Sequence, residues 1–477
     1  MHENRRTNLV ILAALLMIAV AFAVYATLVM RWFSASARSL DPAPREAARQ
    51  AQLDETRKEF RARLLDCRAH LRLSEALWKS GRPVDSFYVF YAARHLFTTA
   101  DFSHAHAEVV LGAGGPAAAI RARLKGLADP ALAVPIHAQT AREYPSSPEG
   151  RDCLDQLSRM AIGDENRTGG DSSRLALAAL EELYAQDTSN PEKLAALAGA
   201  AFTRGDVARA HALASEALRK RPHHAGAARI FGMIALKDRD LDAARRWLTA
   251  AWDRNPNDLY SASKLAQIYD KRRADPESAL PYYLALYRQN PDYDDDGPVE
   301  RRIRETLDTR RENLLKDAPV SGLGGRFKLD DASLRAEACL RAASYADPRW
   351  IDVLGELLDD DAEIVRRSAD YALFKIAQKE PDAVRVRRDA WLNSPQPLVR
   401  IRALNLFADL DGRNALPLVA TALRDPVPAV RAYALVMVLE HYFSAQPEAA
   451  KLRARFLAEE TDPEALAFVR RFSKHGR

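Results

Sequence analysis

Two stretches of the chain read alike when set one above the other: PEKLAALAGAAFTRGDVARAHALASEALRKRP (191–222) and AGAARIFGMIALKDRDLDAARRWLTAAWDRNP (225–256). At an offset of 34, Leu194 meets Ala228, Leu197 meets Phe231, Ala198 meets Gly232, Ala201 meets Ala235, Ala210 meets Ala244, Ala217 meets Ala251 and Pro222 meets Pro256. A third copy starts at Leu259 and passes through Leu265, Ala266 and Tyr269. After one inserted residue it carries Ala279, Tyr283 and Pro291. The register has a steric meaning. Two antiparallel helices approach closely only where a small side chain stands at the crossing, and a proline stops the second helix. The repeat predicts helix pairs stacked side by side.

This pattern resembles the tetratricopeptide repeat, which has small residues at its helix crossings and a proline closing each unit. Weaker copies extend it backwards along the chain. Cys67–Thr98 carries Leu73, Leu77, a turn at Gly81, then Phe90 and Ala93. Phe102–Pro130, Ala131–Gly163 and Arg174–Thr188 read as further helix pairs in poorer agreement, with Gly163–Asp171 a loop or insertion within one pair. Pro298–Lys316 presents Val299, Ile303, Leu307 and Leu314 on one face and reads as a capping helix, so the array is expected over 66–316.

The resemblance implies a binding groove lined by the first helix of each unit. In the first unit the groove positions are Glu192, Ala195, Gly199, Phe202 and Thr203. In the second they are Gly226, Arg229, Met233, Leu236 and Lys237, and in the third Tyr260, Ser263, Gln267, Asp270 and Lys271. The partner-binding residues expected from this are Phe202, Arg229, Met233, Lys237, Tyr260, Ser263, Gln267, Asp270 and Lys271. Mixed basic, aromatic and amide groups suit an extended peptide or a helix of a protein partner. The Lys/Asn clamp of some family members is not reproduced, because Met233 replaces the amide.

Beyond the array, residues 317–329 contain the Gly- and Pro-bearing stretch DAPVSGLGGR (317–326) and read as a linker. Over 330–477 a second register appears: Leu334-Arg335, Val365-Arg366, Val399-Arg400 and Val430-Arg431, at offsets of 31, 34 and 31. Each arginine is followed three residues later by Ala338, Ala369, Ala403 or Ala434. This resembles HEAT-type repeats, including the short variety of the bilin lyases, and it implies an arginine–acid ladder between units. Iron-binding HEAT enzymes repeat a His-Glu dipeptide, which occurs here only at His2-Glu3.

In the other direction, Leu9–Met30 holds no charge, proline or glycine and is long enough to span a bilayer as a helix. Trp32 and Arg5, Arg6 and Arg31 flank it as interface residues. The competing reading is a signal peptide cut near Ala35-Ser36-Ala37, but the apolar run is longer than a signal core. The expectation is a tail over 1–8, a single-pass anchor over 9–30 and a joint with a stalk helix over 31–65. Leu53, Phe60, Leu64, Leu71 and Leu77 fit one face of that helix. The bulk is expected outside the cytoplasm, with a cytoplasmic bulk as the alternative.

Composition sets the outer bounds. The 477 residues are 48% hydrophobic and 28% charged, a globular balance that excludes global disorder. A net charge of +5 on so long a chain does not mark a nucleic-acid binder. Alternating β-branched runs are absent. The fold class expected is all-α: a transmembrane helix, an α-solenoid of tetratricopeptide-like pairs and a second, HEAT-like α-solenoid. Cys67, Cys153 and Cys339 lie in no metal-ligand spacing and read as buried thiols.

No phosphate-binding loop, zinc-protease helix, nucleophile elbow or Cys-x-x-Cys pair occurs, so no catalytic residue and no cofactor is assigned. Asp292, Asp294 and Asp296, with Gly297 and with Glu300 beyond, have the spacing of a Ca²⁺ loop. The last ligand position is Ile303, and the alternative is an acidic turn charging the start of the next helix. His104, His106 and Glu108 converge poorly on a helix. Arg219–His224 is a basic turn suited to phosphate or acidic lipid, with solvated surface at a cation-rich helix end as the alternative. The function expected is a non-catalytic scaffold for protein partners, in a bacterial envelope complex. The alternatives are an enzyme or enzyme accessory whose HEAT-like part meets a cofactor-bearing partner, and nucleic-acid binding through Arg385-Val386-Arg387-Arg388.

Overall fold

The structure, a computed structural model, describes residues 42–110, 130–143, 148–161, 170–272, 274–292, 298–317 and 323–473. The expected anchor, Leu9–Met30, lies outside them. Among the described residues no helix is long and apolar enough to cross a membrane, and every regular element is helical. The chain divides into two units, Met1–Thr56 and Arg57–Arg477, with the division inside helix α1 (Pro42–Ala62).

Helix α1 is shorter than the apolar spacing predicts. It ends at Ala62, and Asp66 starts a new helix by accepting a hydrogen bond from the Arg68 amide at 2.8 Å. That helix, α2 (Cys67–Lys79), pairs with α3 (Pro83–Leu96) around the left-handed turn at Gly81 (φ 76°). Leu71, Leu73 and Leu77 of α2 are fully buried, each contributing about 1.5–3 kcal/mol. Helix α4 (Thr99–Val109) packs on α2.

Helices α5 (Pro130–Glu143), α6 (Pro148–Met160) and α7 (Gly170–Gln186) form a group whose core is completed by Ala196, Leu197 and Ala200 of the next helix. The strong repeat follows as three pairs. They are α8 (Pro191–Thr203) with α9 (Val207–Lys220), α10 (Ala225–Lys237) with α11 (Leu241–Arg254), and α12 (Leu259–Gln267, running into a π-helical turn Ile268–Arg272) with α13 (Pro276–Gln289). The small residues stand at the crossings, as the register predicts. Ala198, Ala210, Ala217, Ala244, Ala251, Ala266 and Ala279 are fully buried. A Cβ added to Gly232 would lie 2.6 Å from Leu248 Cδ2, so a larger residue there must displace the Leu248 side chain. Second helices start on Asp206, Asp240 and Asp275, whose carboxylates accept from the amides of Arg209, Ala243 and Ser278.

After α14 (Val299–Asp317) comes the short α15 (Leu323–Arg326). Residues 318–322 of the expected linker lie outside the described set, while Leu323 and Phe327 are buried in the core of the helices that follow. Those helices are α16 (Ala332–Tyr345), α17 (Ile351–Glu356), α18 (Glu363–Lys379), α19 (Pro381–Arg385), α20 (Arg388–Leu392), α21 (Pro397–Asp411), α22 (Leu416–Ala422), α23 (Pro428–Tyr433, continued by a π-helical stretch to Leu439), α24 (Pro447–Glu459) and α25 (Pro463–Phe472).

The four apolar–arginine pairs open α16, α18, α21 and α23. Each arginine donates back to the carbonyl six residues earlier: Arg335 to Leu329, Arg366 to Asp360, Arg400 to Ser394 and Arg431 to Asp425. Three also reach forward in bidentate pairs from Nε and Nη2, Arg335 to Asp360, Arg400 to Asp425 and Arg431 to Glu460, at 2.7–2.9 Å. Arg366 has no acid in the corresponding next turn, where Ser394-Pro395 stands, and it turns to Glu363 of its own helix at 2.7 Å.

The place of α2–α4 departs from the expected order. Backward extension of the repeat puts this pair at the far end, beyond α5–α7. In the structure its core is shared with α12–α14 instead: Phe87 and Phe90 meet the Tyr287 ring at 5.4 and 5.5 Å, within one cluster holding Ala262, Ala279 and Ile303. Arg288 lies 5.1 Å over Trp78 and bonds Glu75. On its other side α3 packs on α16 and α18. There Asp85, fully buried, bonds Arg82 at 2.6 Å and Arg335 at 3.3 Å. Arg57 and Arg61 reach Asp361 and Asp359 at 2.7 and 2.9 Å. The reason is side-chain size. The α2–α3 pair is rich in aromatics, and it fills the space left by the large Tyr283 and Tyr287 faces of α13, which an alanine-lined pair would not.

Arg335→Met leaves Asp85 and Asp360 buried without their shared cation. It is expected to lower unfolding stability by about 3–5 kcal/mol, read as a shift in the urea midpoint, and adding Asp85→Leu should recover part of that loss. An unshifted midpoint in Arg335→Met would show the triad to be energetically idle.

Candidate binding groove

Helices α6, α8 and α10 pack successively, and α12 follows through α11. On their common side the sequence register predicts a ligand groove, yet most polar groups marked for a partner already hold the repeat together. Glu192 accepts from Arg221 Nη1 at 2.6 Å and from His224 Nε2 at 2.8 Å. Burial would raise its carboxyl, but the His224 and Arg221 bonds outweigh that and hold it below the usual range. His224 is also the N-cap of α10, its Nδ1 accepting from the Ala227 amide at 3.2 Å. The Nε2–H tautomer of a neutral imidazole satisfies both bonds. Arg229 meets Asp258 at 3.3 Å, and Asp258 is the N-cap of α12. These bonds are struts that tie one first helix to the cap of the next.

Other groove positions are consumed by packing. Ser263 is buried, and so is Gly199, where a Cβ would come within 2.5 Å of Ser158 Oγ. Asp270 accepts from Tyr283 Oη at 2.8 Å and stands 3.7 Å from Arg302 of α14. Lys271 falls in the π-helical turn after α12. What remains available is apolar with a basic edge. Phe202, Met233, Leu236 and Tyr260 are half-buried, Lys237 is exposed with no ion pair among the described residues, and Gln267 accepts from Lys264. Lys264 stands 5.8 Å from the Tyr260 ring centre, and the register did not single it out. The struts had a readable signal, since the caps Asn190, His224 and Asp258 recur at 34.

The other candidate sites resolve into internal partners. Asp292 bonds Arg94 at 2.5 Å, and Glu300 accepts from Tyr287 Oη at 3.2 Å, so the two described members of the Ca²⁺ set serve this contact. Asp294 and Asp296 lie outside the described residues. No group of three or more metal-ligating side chains occurs among the described residues. His106 Nε2 bonds the Arg288 carbonyl at 2.8 Å while Glu108 pairs with Arg68, so the two do not converge. Arg385, Arg387 and Arg388 are matched by Asp411, Asp352 and Asp389, which neutralises that basic turn. The three cysteines are buried and none forms a disulfide; burial, with Asp66 and Asp101 nearby, pushes the Cys67 thiol up to about 12.

A second polar constellation, unmarked by the register, lies where the ladder breaks. Glu363 is shared between Arg366 and Arg402, and Arg402 stands 3.8 Å from the buried Asp370. Asn405 donates to Asp370 at 3.1 Å and accepts from Tyr442 Oη at 3.4 Å. A cavity of about 40 Å³ beside it is lined by Phe60, His70, Glu363, Arg366, Arg402 and Tyr433. That is room for about one or two waters and for no organic ligand.

A tetratricopeptide repeat profile matches residues 201–268. Among solved structures, the human IFIT1 dimer with m7Gppp-AAAA is similar over 86% of this chain and 95% of that one, at 14% identity and a TM-score of 0.29. No curated protein sequence matches the chain. The helical repeats over 201–268 are of tetratricopeptide type, an architecture suited to holding protein partners.

Burial pushes Asp370 up to about 6, against the pull of Arg402 and Asn405. The folded chain therefore holds this proton more tightly than the unfolded chain does. The stability it lends is present below the usual value of 3.8 and is lost as pH rises through about 6. Asp370→Asn should raise the melting temperature at pH 7–8 and leave it nearly unchanged at pH 4, read by thermal scans across that range.

Proposed function

We propose that this chain is a non-catalytic scaffold, anchored through Leu9–Met30, that holds a segment of a protein partner against the first-helix side of α8, α10 and α12. One observation carries the reading. Phe202, Met233, Leu236, Tyr260 and Lys237 are left without a structural bond on a side where nearly every polar neighbour has one. An apolar strip edged by lysine suits an amphipathic helix or extended peptide, with the apolar side chains as anchors. Buried, high-pKa thiols and internally matched charges leave little for chemistry to use, which supports an adaptor over an enzyme.

The C-terminal helices are read as HEAT-type units on their arginine ladder, giving a second partner-facing array. The bulk is placed outside the cytoplasm in a bacterial envelope assembly, and the chain takes no cofactor and no nucleic acid. Two experiments test this. Crosslinking of the full-length protein in its native membrane, with mass spectrometry, is expected to capture a main partner whose affinity falls by at least about thirtyfold in Met233→Glu/Lys237→Glu. Capture unaffected by that variant would move the site elsewhere. A reporter fused after Arg477 should be inactive if it requires the cytoplasm, and cytoplasmic activity would reverse the topology.

A further inference from the structure

The side of α10 opposite Met233 carries a feature that the groove does not use. Between α9, α10 and α11 lies a cleft of about 470 Å³, within the range of pockets that take a ligand group. Its apolar wall is Leu218, Ala228 and Trp247, and its rim holds His223, Asp253 and Arg254. Trp247 is 36% exposed, although its inner face is stacked on Phe231 at 4.8 Å, so the indole is held rigid with one surface left open. A rigid exposed indole loses little entropy when covered, which is the property of an interface anchor.

Residues 204–254 carry eleven Lys and Arg against six Asp and Glu. Arg209, Arg221 and Arg229 are tied to Glu181, Glu192 and Asp258 outside that stretch, and Lys237 lies on the groove side, which leaves Arg219, Arg246 and Arg254 as the basic groups around the cleft. Arg246 and Arg254, both exposed on α11 beside Trp247, have no ion pair among the described residues. Arg219, at the end of α9, meets only Glu216 at 3.7 Å and remains 76% exposed. Asp253 is the one acid in the cleft lining. We infer that this outer face is a second docking surface, for an acidic peptide segment of a partner. A bulky apolar side chain enters the cleft over Trp247, and flanking carboxylates pair with Arg246, Arg254 and Arg219. Charge complementarity selects this occupant, because unpaired arginines beside an apolar cleft favour a ligand that combines both features.

A phage-displayed library of random dodecapeptides, panned on the full chain at low salt with Trp247→Ala/Arg254→Glu as counter-target, tests it. The expected result is a consensus of Asp and Glu around a Phe, Trp or Leu. A fluorescein-labelled representative should bind wild type and Met233→Glu/Lys237→Glu alike, lose at least about tenfold on the counter-target, and weaken with added salt. Should Trp247→Ala disturb the fold by circular dichroism, Arg246→Glu/Arg254→Glu, confined to exposed side chains, carries the same comparison. A consensus without acids, or binding abolished by the groove variant alone, overturns the proposal. So does oligouridine binding that is lost in the same outer-face variant while no acidic peptide is enriched, which would assign the surface to nucleic acid.

Discussion

Arg335, 4% exposed, lies between Asp85 of α3 and Asp360 of the turn before α18. A guanidinium taken this far from water is tolerable only with both carboxylates in place, so its position fixes theirs. That constraint joins segments 250 residues apart in the chain. It also sets the role of α3, which is an end unit of neither array and has a partner on both sides. Phe87 and Phe90 face Tyr287, while Asp85 faces Arg335. The neighbouring aspartates repeat the arrangement, Asp359 with Arg61 and Asp361 with Arg57, so three consecutive acids each take a different arginine, two of them from α1.

The same economy of charge governs the repeat. Glu192 and Arg229 stand where a ligand would be met, and both are used to hold the cap of the next first helix. A polar side chain bonded at both ends and half-buried gains nothing from a ligand that must displace its partner. What is left for the proposed partners is the outer surface of Met233 and Phe202, whose inner sides pack on the core, with Lys237, and on the opposite side the open face of Trp247. The break in the arginine ladder has a related effect. With Ser394 in place of an acid, Arg366 is satisfied by Glu363, which draws in Arg402 and leaves Asp370 buried with weak compensation.

Much of the fold was legible from residues alone. Helix pairs and their crossings at Ala198, Gly232 and Ala266 arise from contacts within one unit or between adjacent units, whereas the caps at Asp206 and Asp240 and the back-bonding of the four arginines came only with the structure. Steric crossing leaves a residue type at a fixed place, and a repeat writes it several times. The proposed binding surface was legible only in outline. Register position marked Met233 and Lys237 for the groove, but it could not tell them from Arg229 and Asp270, whose partners lie on other helices, or from Ser263, which is buried.

The chain's periodicity thus determined its helical class, the repeat unit and the side each side chain takes within a pair. The tertiary structure decided where α2–α4 go, which polar residues become struts, and which surface is left for a partner. The physical reason is distance along the chain. Contacts between Arg57 and Asp361, Arg61 and Asp359, or Asp85 and Arg335 link positions 304, 298 and 250 residues apart, made once each, and an unrepeated pairing leaves no pattern in a single sequence.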